Sequence, residues 1–275
     1  MAKVKRNRTK WRTARTSDPL ELYELAVQSP DAEVRMVDRV WKHFGRSGLP
    51  HSLREDFAGT CAISAEWVRR RANNSALCID LDPAVLSWAR RHHLSKLTPA
   101  QRRRITLRRA DVGSANGGPV DAIAALNFSY FIHKSRRALV DYFRHIYGQL
   151  SPNGVLLLDA YGGADSFLEL TERRSLDGFR YLWETLRYNP ISGEVHMAIH
   201  FEFPDGTALR RAFTYDWRLW SIPEVTEALA EAGFRRSVTF WEGTDRRTGS
   251  GNGHFRPSTR GEACEGWVAY IAAAR

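Results

Sequence analysis

Hydrophobic positions along this chain follow two different spacings. Val34, Val37, Trp41 and Phe44 recur every three or four residues, which marks one face of a helix. Leu139, Tyr142, Phe143, Ile146 and Leu150 repeat that spacing over 135–150. Other apolar residues gather in short blocks at 76–79, 105–108, 122–127 and 155–159, with a mixed block at 53–57 that begins and ends apolar. Short blocks bounded by Gly, Asp and Asn read as strands buried on both faces. The segments 61–72 and 84–94 between them read as helices. Local punctuation agrees with these assignments. Asp18-Pro19 with Glu21, and Ser29-Pro30, open two N-terminal helices. Thr98-Pro99-Ala100-Gln101 and Ser221-Ile222-Pro223-Glu224 are capping boxes, and Gly233 ends the last helix.

Strand and helix in alternation predict an α/β fold, a parallel sheet with helices on both faces. The alternation stops at Gly162. Three further runs, 179–188, 195–203 and 208–217, are separated by Asn189-Pro190-Ile191-Ser192-Gly193 and Pro204-Asp205-Gly206. Such turn chemistry predicts an inserted antiparallel β meander. The runs 238–241 and 267–271 close the chain as a hairpin across a polar loop, 242–266, that is long for a compact domain. Six parallel candidates precede the last strand, so the seventh runs antiparallel. The expected organisation is a basic disordered tail over 1–17, then N-terminal helices and a cofactor-binding half over 18–162. An inserted β lid and substrate region follows over 163–220, and a C-terminal helix with the closing hairpin over 221–275.

Composition narrows the class. A chain of 275 residues, 43% apolar and 26% charged, buries a sizeable core, which excludes a disordered chain or a small disulfide scaffold. The longest uncharged run, 122–132, is far short of the roughly 20 residues of a membrane-spanning helix, and no apolar stretch follows the basic N-terminus. The net charge of +10 is uneven: Lys3, Lys5, Arg6, Arg8, Lys10, Arg12 and Arg15 lie in the first 15 residues without one acid. Those 15 residues are therefore the candidate contact for a polyanion, on a nearly neutral body. Cys61, Cys78 and Cys264 have neither metal-ligand spacing nor an even framework, which fits a reducing cytoplasm and no bound metal.

In an open parallel sheet, ligands bind beyond the carboxyl ends of the strands. Here those ends carry Asp56-Phe57-Ala58-Gly59-Thr60, Asp80, Asp111, Asn127–Tyr130, Asp159–Gly163 and Trp241–Asp245. A loop with Gly59 turns from strand into helix, whose free N–H groups favour an anionic group. Asp80 follows about 20 residues later, the place of an acid that holds both hydroxyls of a ribose. GxGxxG and GxxxxGK[ST] are both absent, which counts against NAD and ATP. Asp111, after the third strand, suits an adenine amino group.

At these residues the chain resembles a known family. Leu53–Cys61 looks like the first motif of Rossmann-like (class I) S-adenosylmethionine-dependent methyltransferases. Ala76–Pro83 looks like the second, and Ala110-Asp111-Val112 like the third. Leu150–Val155 resembles their turn before the fifth strand. The likeness spans roughly 20–160 and 234–272. The runs 55–60, 127–131, 213–220 and 241–245 are similar to a bacterial subfamily of undefined substrate. The resemblance implies a seven-stranded sheet with its last strand antiparallel, and S-adenosyl-L-methionine as cofactor. It places Glu55 near the methionine end, with Phe57, Ala58, Gly59 and Thr60 as the loop around it. Asp80 and Leu81 belong at the ribose, Asp111 and Val112 at the adenine, and Asn127 and Phe128 on the methyl-transfer side. One departure stands out: the family carries three glycines in the first loop, and Phe57 and Cys61 take two of those places.

The substrate side has fewer signals. Asn127-Phe128-Ser129-Tyr130 partly resembles the Asn-Pro-Pro-Tyr motif of nucleobase amino-methyltransferases, without either proline. Tyr130 and His133 are the catalytic candidates, and Tyr161, Tyr215, Trp217, Glu242 and Asp245 the substrate-binding ones. The leading expectation is a cytoplasmic methyltransferase acting on a small molecule by in-line displacement. The rivals are a nucleic-acid or protein methyltransferase anchored by its basic tail, and a non-catalytic S-adenosylmethionine-binding protein.

Overall fold

The computed structural model describes residues 12–275. Most of the expected basic tail and polyanion contact therefore lies outside the described residues. Within 12–17, Thr13 and Thr16 close a turn, and Arg12 pairs with Glu21 at 3.1 Å. No helix among the described residues is long and apolar enough to cross a membrane.

In chain order, the helices α1 (Pro19–Val27) and α2 (Pro30–His43) lead into β1 (Ser52–Asp56), α3 (Ala62–Arg70), β2 (Ser75–Asp80) and α4 (Pro83–His92). α5 (Pro99–Arg102), β3 (Ile105–Arg109), β4 (Val120–Ala125), α6 (Arg136–Gln149) and β5 (Leu150–Gly162) follow. The chain then builds β6 (Thr171–Leu176), β7 (Phe179–Tyr188), β8 (Glu194–Glu202) and β9 (Ala208–Arg218). It finishes with α7 (Ile222–Ala232), β10 (Arg236–Thr244), β11 (Gly251–Ser258) and β12 (Trp267–Ala274). The capping signals act as the sequence predicts. Asp18 accepts from Leu20 N at 2.8 Å, Thr98 and Ser221 each complete a capping box, and Gly233 leaves α7 with a φ of 113°.

Two compact units result: Ser29–Ser166 with Arg218–Arg275, and Phe167–Trp217 with the described part of Met1–Gln28. The larger unit holds an eight-stranded sheet in the order β11-β10-β12-β5-β4-β1-β2-β3. β1 is parallel to β2 and β4, β4 to β5 and β2 to β3, whereas β12 runs antiparallel to both β5 and β10. The direction of winding reverses between β1 and β4, so that pair marks the topological switch point.

Successive residues of a strand face opposite sides of a sheet, and β1 shows both sides. Leu53 shares a core with Val34, Val37 and Trp41 of α2 and with Ile63 and Trp67 of α3. Asp56 accepts from the Tyr142 hydroxyl of α6 at 3.0 Å. Thus α2 and α3 cover one face and α6 the other. Each fully buried Leu, Val or Phe in such a core contributes about 1.5–3 kcal/mol.

The eighth strand, β11, replaces part of the long polar loop expected over 242–266. It pairs only with β10 and lies at the sheet edge, mostly exposed. An edge strand needs no apolar alternation, so Gly-Asn-Gly-His-Phe-Arg carried no strand signal.

The smaller unit is an antiparallel meander in the order β6-β7-β8-β9, one strand more than the three runs predicted. The missed strand, Thr-Glu-Arg-Arg-Ser-Leu, is another charged edge strand. α1 belongs here and not with residues 18–162 as the expected boundaries had it. Its Leu22 and Ala26 are buried among Phe179, Tyr181, Ile199 and Phe201.

Gly163 follows β5 at a φ of 115°, where a Cβ would stand 2.3 Å from the Glu265 carbonyl oxygen. That backbone region is essentially closed to other residues and is worth about 1–3 kcal/mol of strain. Gly163→Ala is therefore expected to lower stability by at least about 2 kcal/mol, read as a drop in urea midpoint. An unchanged midpoint would show that the 265 backbone simply moves aside.

Candidate active site

The turn from β1 into α3 is left-handed three times. Phe57, Gly59 and Cys61 have φ of 53°, 50° and 59°. These are the three positions at which the resembled family carries glycine. Two of them hold side chains that avoid this conformation, so the loop keeps its path at a cost in strain. Its anchors are visible. Ala58 N donates to the Ile79 carbonyl at 2.9 Å, and Cys61 N to the Ala58 carbonyl at 2.7 Å. Gly59 N donates to the Asp80 carboxylate at 2.7 Å, and Asp82 N to the other carboxylate oxygen at 2.9 Å. Asp80 thus ties the first loop to the end of β2. Next to it, Leu81 is 61% exposed, a large apolar surface at the mouth of the sheet. Ala58 and Thr60 are buried beneath the loop.

Glu55 faces the α2–α3 side of the sheet. Its carboxylate accepts from Ser64 N at 3.0 Å and from the Ser64 hydroxyl, so it caps the first turn of α3. Arg54 and Asp56 face the other side and are both fully buried. Arg54 Nε donates to Asp56 Oδ1 at 2.6 Å, and its two terminal nitrogens donate to the carbonyls of Ala115 and Val112, each at 2.8 Å. One guanidinium therefore binds the end of β1 to the loop after β3. In that loop Asp111 accepts from Gly113 N at 2.7 Å, and Val112 is buried. Arg54 was not among the sequence candidates. The signal was present, since an Arg-Glu-Asp run inside a buried strand requires partners.

The end of β4 repeats the left-handed device. Asn127 and Phe128 have consecutive φ of 58° and 57°. Asp159 of β5 holds them there: its two carboxylate oxygens accept from Asn127 N and Phe128 N, both at 2.8 Å. Burial raises the Asp159 pKa to about 7, although those two N–H groups work against the rise. The sequence places Asp159 at a strand end but assigns it no role. The Phe128 ring meets Tyr161 at 4.7 Å, and Phe131 stacks on Tyr161 at 5.7 Å, so Tyr161 stands beside this turn.

The two catalytic candidates separate. Tyr130 is wholly buried against Phe131 and Phe143, and its hydroxyl has no hydrogen-bond partner among the described residues. Its side chain is packed on all sides by the surrounding residues. The His133 ring stacks on Tyr142 at 4.7 Å, meets the edge of Phe57 at 6.3 Å, and leaves Nε2 without a partner. Burial lowers its pKa, and the Asp111 carboxylate opposes that shift. Trp220 Nε1 donates to the His133 carbonyl at 3.1 Å and fixes the backbone there.

Glu242 and Asp245 serve the β10–β11 hairpin. Glu242 accepts from Gly253 N at 2.7 Å and lines a groove of about 620 Å³ with Trp241, Asn252, His254 and Arg256. Asp245 accepts from Arg247 N at 2.8 Å and shapes the turn. β10 lies four strands from β1, roughly 20 Å at the usual strand spacing, so the structure does not bring these acids to the β1 loop. Tyr215 and Trp217 lie in the smaller unit, where their rings pack at 4.2 Å and both meet Trp183.

A doubly wound, mostly parallel sheet with an antiparallel last strand and loops after β1, β2, β3 and β4 defines a Rossmann-like α/β class. No family model matches the sequence, and neither does any curated protein. Solved structures do match. One is an S-adenosylmethionine-dependent methyltransferase from Clostridium acetobutylicum ATCC 824, at 16% identity over 91% of this chain and 96% of that one, with a TM-score of 0.63. Another is the sugar N-methyltransferase KedS8 from Streptoalloteichus sp ATCC 53650, at 20% identity over 94% and 93%, TM-score 0.62. A third is CalS10, an amino pentose methyltransferase from Micromonospora echinaspora, at 16% identity over 93% and 95%, TM-score 0.62. The fold of this chain is that of S-adenosylmethionine-dependent methyltransferases.

Proposed function

We propose that this protein transfers a methyl group from S-adenosyl-L-methionine to a small-molecule acceptor. The observation that carries the reading is the triple left-handed loop at 57, 59 and 61, tied by Gly59 N to Asp80 at the switch point. Two residues that avoid this backbone keep it nonetheless, which marks a loop shaped for a ligand and not only for packing. The residues present suit the cofactor. Asp80 offers carboxylate oxygens to ribose hydroxyls, exposed Leu81 offers an apolar face to a flat base, and Asp111 with Val112 frames that base. Phe57, Ala58, Gly59 and Thr60 surround the aminoacyl end. When bound, S-adenosylmethionine supplies a methyl group already activated by a cationic sulfur.

The chain's own work is then to position the acceptor and keep water out, and orientation alone supplies about 7–11 kcal/mol in favourable cases. Asn127 and Phe128, pinned by Asp159, form a rigid wall for that purpose, and Tyr161 extends it. His133 is the remaining candidate base, through its unpartnered Nε2. The acceptors of two structural neighbours, a sugar and an amino pentose, support a small molecule. All three cysteines are free, which supports a reducing cytoplasm.

Calorimetry with S-adenosylmethionine and its demethylated product, with NAD as control, tests the reading. The wild type is expected to bind both at micromolar levels. Asp80→Ala is expected to weaken both by about 100-fold, the worth of two hydrogen bonds to a charged group. Equal affinity in the variant would remove Asp80 from the site, and no binding by folded wild type would end the methyltransferase reading.

A further inference from the structure

Glu33 has no part in the site described so far. It lies in the first turns of α2 and is only 6% exposed. Its Oε1 accepts a long bond, 3.4 Å, from Ser29 N, and its Oε2 has no partner among the described residues. α2 covers the face of β5 on which Leu157 lies, and Asp159, two residues on, shares that face. The N-terminus of α2 therefore meets the carboxyl end of β5. Tyr270 stands directly opposite Asp159 in the β12–β5 register. The groups that face Glu33 are Asp159, Glu55 and Tyr270. Glu55 is occupied by Ser64, and Asp159 by two backbone N–H groups. Neither Glu33 nor Asp159 is ion-paired with a Lys or Arg among the described residues. A buried carboxylate without a partner either holds a proton or awaits a cation.

We propose that Glu33, backed by Asp159, is the subsite for the ammonium group of the methyl acceptor, so that the acceptor is an amine. This rests on the methyltransferase reading above. Among the described residues no three His, Cys, Asp or Glu side chains stand in a metal-binding arrangement, so an organic cation suits the place better than a metal ion. The location separates the acceptor from the cofactor. The cofactor candidates Gly59, Asp80 and Asp111 follow β1, β2 and β3, whereas Asp159 ends β5, two strands from β1 on the opposite side of the switch point.

The subsite also provides the proton transfer that an amine acceptor requires. An ammonium nitrogen has no free electron pair. Glu33 Oε2 takes one N–H proton, which turns carboxylate into carboxylic acid and ammonium into amine, and leaves the electron pair on nitrogen. Burial raises the Glu33 pKa to about 8, which brings it nearer to the roughly 10 of an alkylammonium than a solvent-exposed carboxylate stands.

The test uses the full chain at pH 8.5 with methylammonium chloride as probe. Wild-type Tm is expected to rise by about 3 °C in methylammonium over equal sodium chloride. Glu33→Gln, and Glu33→Met as a second variant should the amide fold poorly, are expected to lose that rise while keeping wild-type affinity for S-adenosylmethionine. No methylammonium effect in wild type, or one that survives in both variants, overturns the subsite. A variant that loses affinity for S-adenosylmethionine but not for methylthioadenosine, which lacks the aminoacyl group, gives Glu33 to the cofactor's ammonium and overturns the acceptor assignment. A methylammonium effect lost in the variants, in a wild type that binds no S-adenosylmethionine, keeps the ammonium site and ends the methyltransferase reading instead.

Discussion

Replacing Arg54 by methionine is expected to destabilise the protein by about 3–5 kcal/mol, the usual result of removing one partner from a buried ion pair. Arg54 and Asp56 have no exposed side-chain surface, and their salt bridge is 2.6 Å long. Without the guanidinium, Asp56 keeps only the Tyr142 hydroxyl at 3.0 Å, the Val112 carbonyl loses its donor, and the Ala115 carbonyl keeps only His145 Nε2. Urea denaturation gives the loss directly. The double substitution Arg54→Met with Asp56→Leu is expected to recover a large part of it, because an apolar pair of similar volume leaves no orphaned charge. The same change reaches the proposed cofactor site, since Arg54 ties the 112–115 backbone to β1. Arg54→Met that folds is therefore expected to bind S-adenosylmethionine more weakly as well. A single variant as stable as wild type would show that solvent enters and solvates Asp56.

Stability is also expected to fall as pH rises from about 5 to about 8. The sign follows from the two buried carboxylates at the α2–β5 contact. Burial raises Glu33 from 4.5 to about 8 and Asp159 from 3.8 to about 7. Between the unfolded and folded values the native state holds protons that the unfolded chain has released. Their contribution is complete below about pH 4 and is lost as pH passes through 7 and 8. A rise of about three in pKa corresponds to on the order of 4 kcal/mol for each group, and the two repel each other, so their effects do not simply add. Unfolding free energies at pH 5, 6, 7 and 8 test this, and Glu33→Gln is expected to flatten the upper part of the curve. A profile that instead rises with pH would mean that both groups are ionised and satisfied in the native state.

These two networks also show what a single sequence conveys. Asp18-Pro19, Thr98-Pro99 and Ser221–Glu224 announced their helices because a cap depends on atoms only two or three residues away. The parallel strands were legible because a strand buried on both faces has to be apolar, whatever its neighbours. Gly59 and Asp80 were legible because a strand-to-helix turn and an acid about 20 residues later form a local unit. β6 and β11 were not: an exposed edge strand is under no apolar constraint, and its only specification is a partner elsewhere in the chain.

What tertiary structure alone decided is the use made of each charge. Glu55 was expected at the cofactor, and its carboxylate caps α3, because alternation along β1 turns it to the α3 face. Tyr130 was expected at the chemistry, and it is buried, because the left-handed turn at 127–128 carries it inward against Phe143. Arg54, Asp159 and Glu33 gained their significance from partners 58, 31 and 126 residues away in sequence, at Val112, Phe128 and Asp159 respectively. The layers, the parallel sheet and the turn from β1 into α3 were legible along the chain, since those depend on local geometry and burial. Which acid meets which N–H, and which is left without one, depended on how β5, α2 and the 112–115 loop come together, and no local pattern encodes that.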